Sequence, residues 1–219
     1  FIKNFFMPFF SGIFLENKLE TSSKFFKYVF SNFNNGLAAL PRKGMQAIPD
    51  QLFNKLNRER VIIGQSVVNI DDSKNVTLDD GIIIKGNRLI LSGDSTNLVD
   101  GENGEYNAVK TMYFSTQNDI LNGEYIHLYP KDNIINNVAI PTYLSESYSK
   151  NSDHLISLTI LESEASEIEM VKDIQGRLSK YYGGGPNSYE FLRSINIKTG
   201  TLRQPKGHFN RSQKNSEDD

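Results

Sequence analysis

The sequence of 219 residues predicts an α+β fold in which a mixed β-sheet packs against helices. Three observations support this prediction. Phenylalanines recur at helical spacing near the N-terminus, short runs rich in β-branched residues begin at Val61, and a long amphipathic stretch ends at Gly183. The chain is long enough for one large domain or two smaller ones.

The apolar N-terminal run FIKNFFMPFFSGIFL has two interpretations. It could be the core of a signal peptide, but Pro8 and Gly12 interrupt it and no A-x-A-like cleavage site follows. It is also too short and too broken to span a bilayer. We therefore expect an internal segment that packs in a core or lines an apolar pocket. The missing initial methionine and the polar end SQKNSEDD suggest a fragment open at both ends.

Two helices are predicted after this run. Thr21 or Ser22 can cap the first, which extends to about Asn34 and has an apolar face of Phe25, Phe26, Val29, Phe30 and Phe33. A loop ending in LPRKG leads to the second helix, whose first turn contains Pro49, where a missing N–H is tolerated. The predicted buried face of this helix consists of Ile48, Leu52, Phe53 and Leu56.

Short strands and one long helix are predicted for the rest of the chain. A β-meander covers residues 61–70, 75–78, 81–85 and 88–91. Further strands cover residues 109–115, 124–129, 136–141, 154–161 and 189–197, with a turn or bulge at Asn136 and Asn137. The helix spans about residues 163–182, has capping-box spacing at Ser166 and Glu169, and ends at Gly183. Its predicted inner face consists of Ile168, Val171, Ile174, Leu178 and Tyr181.

Composition excludes several classes of function. The formal net charge is −2, with 24 basic and 26 acidic residues, so the basic excess of a nucleic-acid-binding protein is missing. Cysteine is absent, which rules out disulfides, cysteine-ligated metals and a thiol nucleophile. His127, His154 and His208 form no ligand-spaced pair, and we predict no metal site.

Five segments of the chain carry a family resemblance. They are PFFSGIFLENKLETSSKFFKYVF, GLAALPRKGMQAIPDQLFNKL, VIIGQSVVNI, INNVAIPTYLSESYSKNSDHLISLTIL and SYEFLRSINIKTGTLRQP. In this order they resemble FAD-dependent oxidoreductases of the flavin amine oxidase and phytoene desaturase superfamily. The resemblance covers almost the whole chain from Pro8 to Pro205, although no single motif in it is highly specific.

The resemblance implies a substrate-binding domain, with the mixed sheet and packed helices, plus a β-meander rim of an FAD-binding, Rossmann-like domain. It divides the chain into a helical substrate-domain segment (1–60), the meander (61–93), substrate-domain strands with the long helix (94–205) and a polar tail (206–219). The superfamily's N-terminal G-x-G-x-x-G turn and its C-terminal flavin-covering segment have no counterpart in this sequence. The run Gly183-Gly184-Gly185 follows a helix and is interpreted as a helix stop.

The resemblance assigns cofactor contacts to two places. Val67 lies on the strand that passes the adenine, where its backbone groups would hydrogen-bond the base edge. Ser92 and Gly93 match the point where the chain returns beside the dinucleotide, and a small residue there permits close approach. The alternatives are a buried strand valine and an ordinary glycine turn.

The resemblance assigns substrate contacts to the loop of Gly44, Met45, Gln46 and Ala47, which in relatives faces the substrate cavity near the flavin. Gly44 permits close approach, Met45 offers an adaptable apolar surface, and Gln46 could hydrogen-bond a substrate. The alternative is an ordinary helix entry with Gln46 in solvent.

The function implied by the resemblance is oxidation or desaturation of an amine, polyene or other lipophilic substrate by hydride transfer to FAD. The lack of a carboxylate pair or Ser–His–Asp set fits such an enzyme because the flavin carries the chemistry. The alternative is a flavin-free relative acting as an apolar-ligand or protein-binding module. We expect the fragment alone to be inactive, and the sequence identifies no catalytic residue.

The expected partners are a small lipophilic or amine substrate and, as a further option, a membrane surface contacted peripherally; nucleic acid is not expected. The expected location is the cytoplasm or a plastid, peripheral to a membrane, without secretion. The oligomeric state does not follow from the sequence.

Overall fold

The computed structural model describes residues 1–92, 98, 105–161 and 166–207. The chain divides into two compact units, of which the first contains residues 1–45 and 106–219 and the second contains residues 46–105. The predicted domain boundaries at residues 60, 93 and 205 stay predictions.

Four α-helices and eight strands are described. The helices are α1 (Met7–Phe14), α2 (Ser23–Asn35), α3 (Ala47–Phe53) and α4 (Glu167–Tyr182). The strands are β1 (Val67–Ile70), β2 (Val76–Leu78), β3 (Ile83–Ile84), β4 (Tyr106–Thr116), β5 (His127–Leu128), β6 (Ile135–Ala139), β7 (His154–Ile160) and β8 (Glu190–Leu202). A π-helical turn (Ile2–Phe6) precedes α1, and single 3₁₀ turns include Pro141–Tyr143 and Glu146–Tyr148. The predicted α+β class is confirmed.

A five-stranded sheet forms the centre of the first unit, with the strand order β5-β6-β7-β4-β8. Every described strand pair is antiparallel, so the prediction of a mixed sheet is wrong in this respect. The reason is that α4 connects β7 to β8, which lie on opposite sides of β4 and are not neighbours. The predicted irregularity at Asn136 and Asn137 is confirmed, because the β6–β7 register shifts between Ile135 and Asn137.

The core of the first unit lies between this sheet and α4. Alternate residues of β4 and β7 are buried, as expected for strands with one covered face. The buried cluster includes Met112 and Phe114 of β4, Ile156, Leu158 and Ile160 of β7, and Met170, Ile174 and Leu178 of α4. Ile168, predicted to face inward, is instead 74% exposed, because the buried face of α4 follows the spacing of Met170, Ile174 and Leu178 and Ile168 lies off that face.

Local signals set the ends of α4. The predicted capping box is confirmed, since the Ser166 side chain accepts from the Glu169 N–H and the Glu169 carboxylate accepts from the Ser166 N–H. Gly183 follows the last helical residue with φ +83°, a conformation that favours glycine and stops the helix. The interpretation of Gly183 as a helix stop therefore agrees with the structure.

A buried carboxylate connects α4 to the turn before β6. The Asp132 side chain is only 1% exposed and lies 2.7 Å from the Arg177 guanidinium. It also accepts hydrogen bonds from the N–H groups of Ile134 and Ile135 and from the Tyr181 hydroxyl. Burial alone would raise the pKa of the Asp132 carboxyl, but these hydrogen bonds outweigh it and hold the pKa below its ordinary value.

The N-terminal run forms α1, which packs on β6 and α2. Gly12 permits the close approach to β6, because a Cβ at this position would lie 2.6 Å from Asn136 Oδ1. Phe10 of α1 packs against Phe26 of α2, with ring centroids 4.7 Å apart. Ser22 caps α2 as predicted, accepting from the Phe25 N–H. One side of α1 is thus buried, in agreement with the expectation that this run packs in a core.

The second unit has a three-stranded antiparallel sheet in the order β1-β2-β3. Among its described residues, Leu78 is the one buried hydrophobic side chain. The predicted inner face of α3 is largely exposed, at 46% for Ile48 and 58% for Leu52. Two predicted strands of this unit differ from the structure. The first is shorter, since residues 61–66 precede β1 without strand pairing. The last is missing, since residues 88–91 have no regular structure.

No helix formed by the described residues is both long and apolar enough to cross a bilayer.

Candidate functional site

The loop that precedes the predicted substrate residues is anchored from a distant part of the first unit. The Tyr148 hydroxyl donates a hydrogen bond to the carbonyl oxygen of Pro41 at 2.8 Å. The Ser145 hydroxyl donates to the carbonyl oxygen of Arg42 at 3.0 Å. Both donors belong to the segment 141–148, so the connection between β6 and β7 holds the loop in place.

Gly44 closes a turn in this loop. Its N–H donates to the Pro41 carbonyl at 2.9 Å, and its φ of +89° favours glycine. A Cβ at this position would lie 4.0 Å from the Tyr148 ring, which is ordinary contact, so the backbone conformation and not lack of space selects glycine. The next residue, Met45, is 59% exposed and has a flexible apolar side chain, and its substrate contact stays a prediction.

A depression of about 840 Å³ lies along the segment that anchors the loop. Ser145, which holds Arg42, also lines it. At one side His154 stacks on Tyr143, with ring centroids 4.5 Å apart and an interplanar angle of 8°. His154 Nε2 lies 3.6 Å from Asp119 Oδ1. The wall is rich in hydroxyl groups, as the remaining lining residues include Thr142, Ser147, Ser149 and Ser152.

Gln46 and Ala47 belong to the second unit, so the predicted substrate segment crosses the boundary between the units. Gln46 Nε2 donates to Asp50 Oδ1 at 2.9 Å, which ties the side chain to its own helix. Ala47 is the first residue of α3. This geometry matches a helix entry with an exposed Gln46, and a substrate contact by either residue stays a prediction.

Val67 lies on β1, which pairs with β2 on one side and has no further strand partner among the described residues. Some of its backbone groups therefore face away from the sheet. The neighbouring Val68 is 56% exposed, so the strand presents apolar side chains together with backbone groups. Ser92 is exposed at the end of a described stretch, and Gly93 lies outside the described residues. The cofactor contacts stay predictions.

Metal-binding geometry is not found in the part of the chain that the structure describes, where no three His, Cys, Asp or Glu side chains converge. No sequence pattern singles out Tyr148 and Ser145, which position the loop. Their hydrogen bonds join residues that are 107 and 103 positions apart, so neither segment alone indicates the contact.

Comparisons with known proteins identify a matching family and similar solved structures. The model of the flavin containing amine oxidoreductase family matches residues 1–119, more than half of the chain. The crystal structure of reduced UDP-galactopyranose mutase is similar to this chain with a TM-score of 0.70 and 14% identity, over 95% of this chain and 55% of that one.

A protein from Pyrococcus furiosus is similar with a TM-score of 0.54 and 16% identity, over 71% of this chain and 43% of that one. The chain thus spans about half the length of the solved structures that it matches. No curated protein sequence matches it.

Proposed function

The chain belongs to the flavin containing amine oxidoreductase family, and from this premise we propose that it forms part of an FAD-dependent oxidoreductase acting on an organic substrate. The family match over residues 1–119 is the observation that carries the proposal. The substrate class that we propose is an amine, a polyene or another lipophilic molecule.

The second unit has features that suit a contact with FAD, which when bound supplies the acceptor for the substrate's hydride. Strand β1 presents unpaired backbone groups beside the half-buried Val67 and the exposed Val68. Such an edge can hydrogen-bond a base through its backbone while its side chains cover the ring. Val67 would then hold the adenine and Ser92 would lie beside the dinucleotide.

The anchored loop supports the proposal that the substrate is apolar. Tyr148 and Ser145 fix the backbone of Pro41 and Arg42, so the position of the following turn is defined before a substrate binds. Met45 presents an unbranched apolar side chain next to this turn. In the proposal, the loop orients the substrate and excludes water from one side of it.

The test uses the full-length protein. We expect it to purify with a flavin absorption spectrum, and an anaerobic addition of an oxidisable amine or polyene should bleach that spectrum. A full-length protein that is colourless and takes up no added FAD would overturn the proposal. It would favour the flavin-free binding module instead.

The substrate loop is tested separately by steady-state kinetics. Met45→Ala should raise KM about three- to tenfold with unchanged flavin content, since a truncated methionine loses about 1 kcal/mol of apolar contact. Leu37→Ala is the matched control, because Leu37 is 98% exposed in the same loop region. Equal KM values for both variants and the unmodified protein would remove Met45 from the site.

A second candidate is a mutase-type reaction on a nucleotide sugar. The observation that favours it is the TM-score of 0.70 to reduced UDP-galactopyranose mutase over 95% of this chain. A flavoprotein of this kind would rearrange its substrate without net oxidation. Isomerised product formed only by the reduced protein, with no bleaching by amines or polyenes, would select this candidate.

Peripheral membrane contact also stays a proposal. It is supported by the exposed aromatic side chains Phe30 and Phe33 of α2, at 45% and 46%, with Lys27 on the same helix. Aromatic and cationic side chains on one amphipathic helix are typical of interfacial binding. Sedimentation of the protein with anionic vesicles, compared with neutral ones, tests this contact.

A further inference from the structure

A second depression lies at the C-terminal end of α4, within the first unit. Its volume is about 390 Å³, and it is lined by Asp119, Leu121, His127, Tyr129, Tyr181 and Tyr182. The rings of Tyr181 and Tyr182 are 6.5 Å apart and meet at 78°, so they form an aromatic corner. Tyr129 stacks on Tyr181 at 4.2 Å and supports one wall of this corner.

A directional chain of hydrogen bonds fixes the polar atoms of this depression. His127 Nε2 lies 2.8 Å from the Asn122 carbonyl, which can only accept, so Nε2 carries a proton. In neutral imidazole Nδ1 is then the acceptor, and the Tyr182 hydroxyl donates to it at 2.6 Å. The Tyr129 hydroxyl donates to Tyr182 at 2.7 Å. The hydroxyl of Tyr182 and both nitrogens of His127 are therefore engaged within the protein, and the aromatic rings remain to meet a ligand.

The three tyrosine side chains that line the depression carry no charge at neutral pH. Burial is the largest cause that raises the pKa of Tyr129 and of Tyr182 above the ordinary value. Burial and then the hydrogen bond to Asp132 raise the pKa of Tyr181 to about 12. The phenols therefore stay protonated, and their ring faces keep the negative electrostatic potential that attracts cations.

One carboxylate and one helix end add negative potential. Asp119 lines the depression with a fully exposed side chain. The last turn of α4 ends at Tyr182, where the terminal carbonyls of a helix carry partial negative charge, and Lys180 in the same turn offsets part of it. Among the described residues that line the depression, none is a lysine or arginine. The nearby Arg177 is neutralised by Asp132 and Asp173, at 2.7 and 3.0 Å.

We propose that the corner formed by Tyr181 and Tyr182 binds a small organic cation, with its ammonium group over the rings and Asp119 as counter-charge. Two aromatic faces at a right angle enclose an alkylammonium on two sides, and a carboxylate at the mouth compensates its charge. An anion would be repelled by Asp119 and would find no cationic lining residue. A neutral apolar molecule of the same shape would gain the contact with the rings but not the charge interactions.

The test is isothermal titration calorimetry of the full chain with choline and with 3,3-dimethylbutanol, which is its neutral isostere. We expect choline to bind about two- to fivefold more tightly, the difference that an exposed cation–π contact supplies. Equal affinity for the two compounds, or no binding of choline, would overturn the proposal.

Two variants locate the site. Asp119→Asn changes a fully exposed side chain, so it should leave the fold intact and weaken choline binding about threefold. Tyr182→Leu removes one wall and should weaken it further. Asp72→Asn, an exposed carboxylate in the second unit, is the matched control and should have no effect. Unchanged choline affinity in Asp119→Asn would sink the assignment even if Tyr182→Leu failed to fold.

Discussion

The hydroxyl of Tyr148 donates a hydrogen bond to the carbonyl oxygen of Pro41, across 107 residues of sequence. This bond and the one from Ser145 to Arg42 are side chain-to-backbone contacts, so they hold the loop whatever its side chains are. The position of Met45 in the first unit thus depends on the connection between β6 and β7 as well as on the turn that Gly44 closes.

Tyr148→Phe should loosen this loop. Loss of one such hydrogen bond corresponds to about 1 kcal/mol, so amides of residues 37–45 should exchange about fivefold faster. Tyr125→Phe is the matched control, because Tyr125 is 63% exposed and its hydroxyl makes no hydrogen bond within the described part of the chain. Equal exchange in the two variants would show that the Pro41 contact does not order the loop.

Gly12→Ala should destabilise the protein by about 1–3 kcal/mol, the range for an overpacked contact. The new Cβ would lie 2.6 Å from Asn136 Oδ1 and 2.8 Å from Asn137 Nδ2. Gly176→Ala in α4 is the control, because nothing lies within 4 Å of its added Cβ. That change should stabilise by about 0.5–1 kcal/mol through helix propensity. Urea denaturation measures both effects. If both substitutions changed the free energy of unfolding in the same direction, the packing of α1 on β6 would be contradicted.

Asp132→Asn should lower the free energy of unfolding by roughly 3 kcal/mol at pH 7, since it leaves the positive charge of Arg177 only partly compensated. The pKa of Asp132 is lowered in the folded state, so its contribution is present above the unfolded-state pKa near 3.8 and is lost as the pH falls through the folded value. The difference in the free energy of unfolding between Asp132→Asn and the unmodified protein should therefore shrink as the pH falls from 7 to below about 3.

Asp173→Asn provides the control for this pH series. Asp173 contacts the same guanidinium at 3.0 Å, but its side chain is 44% exposed. Its removal should cost at most about 1 kcal/mol. Equal losses for the two variants at pH 7 would mean that burial of Asp132 contributes nothing.

The 219-residue chain should bind an environment-sensitive apolar dye more strongly than an ordinary monomer of its size, because α2 exposes a cluster of aromatic rings. Phe30→Ser combined with Phe33→Ser should reduce this fluorescence. Ile168→Ser is the control, as Ile168 is 74% exposed and lies apart from that cluster on α4. Dye binding no greater than that of the reference monomer would contradict the exposed surface.

Local signals in the sequence predicted local structure. Ser22 caps α2, Ser166 and Glu169 form the capping box, and the Asn136-Asn137 irregularity is present. Each of these depends on a few neighbouring residues, which the sequence displays directly.

No secondary structure is predicted for the N-terminal run, which contains two residues that usually break a helix. Pro8 lies in the first turn of α1, at its junction with the π-helical turn Ile2–Phe6. Gly12 lies where α1 approaches β6 closely. Both residues are explained by their position in the fold, and this position cannot be inferred from the run alone.

Strand pairing and loop anchoring depended on tertiary context. Residues 88–91 are mostly apolar but have no strand structure, because a strand also needs a partner. The family resemblance drew attention to Gly44 and Met45, yet the residues that hold their loop, Tyr148 and Ser145, lie about a hundred positions away. No pattern within either segment indicates that they meet.

The second unit, in which Leu78 alone is buried among the described hydrophobic residues, has a thermodynamic consequence. A three-stranded sheet with so little buried apolar surface gains little of the free energy that offsets chain entropy. Whatever ligand or protein surface covers this sheet would therefore supply much of its folding free energy. If that ligand is a dinucleotide, its measured affinity would include the cost of ordering residues 46–92, and the melting temperature of the unit would rise with ligand concentration.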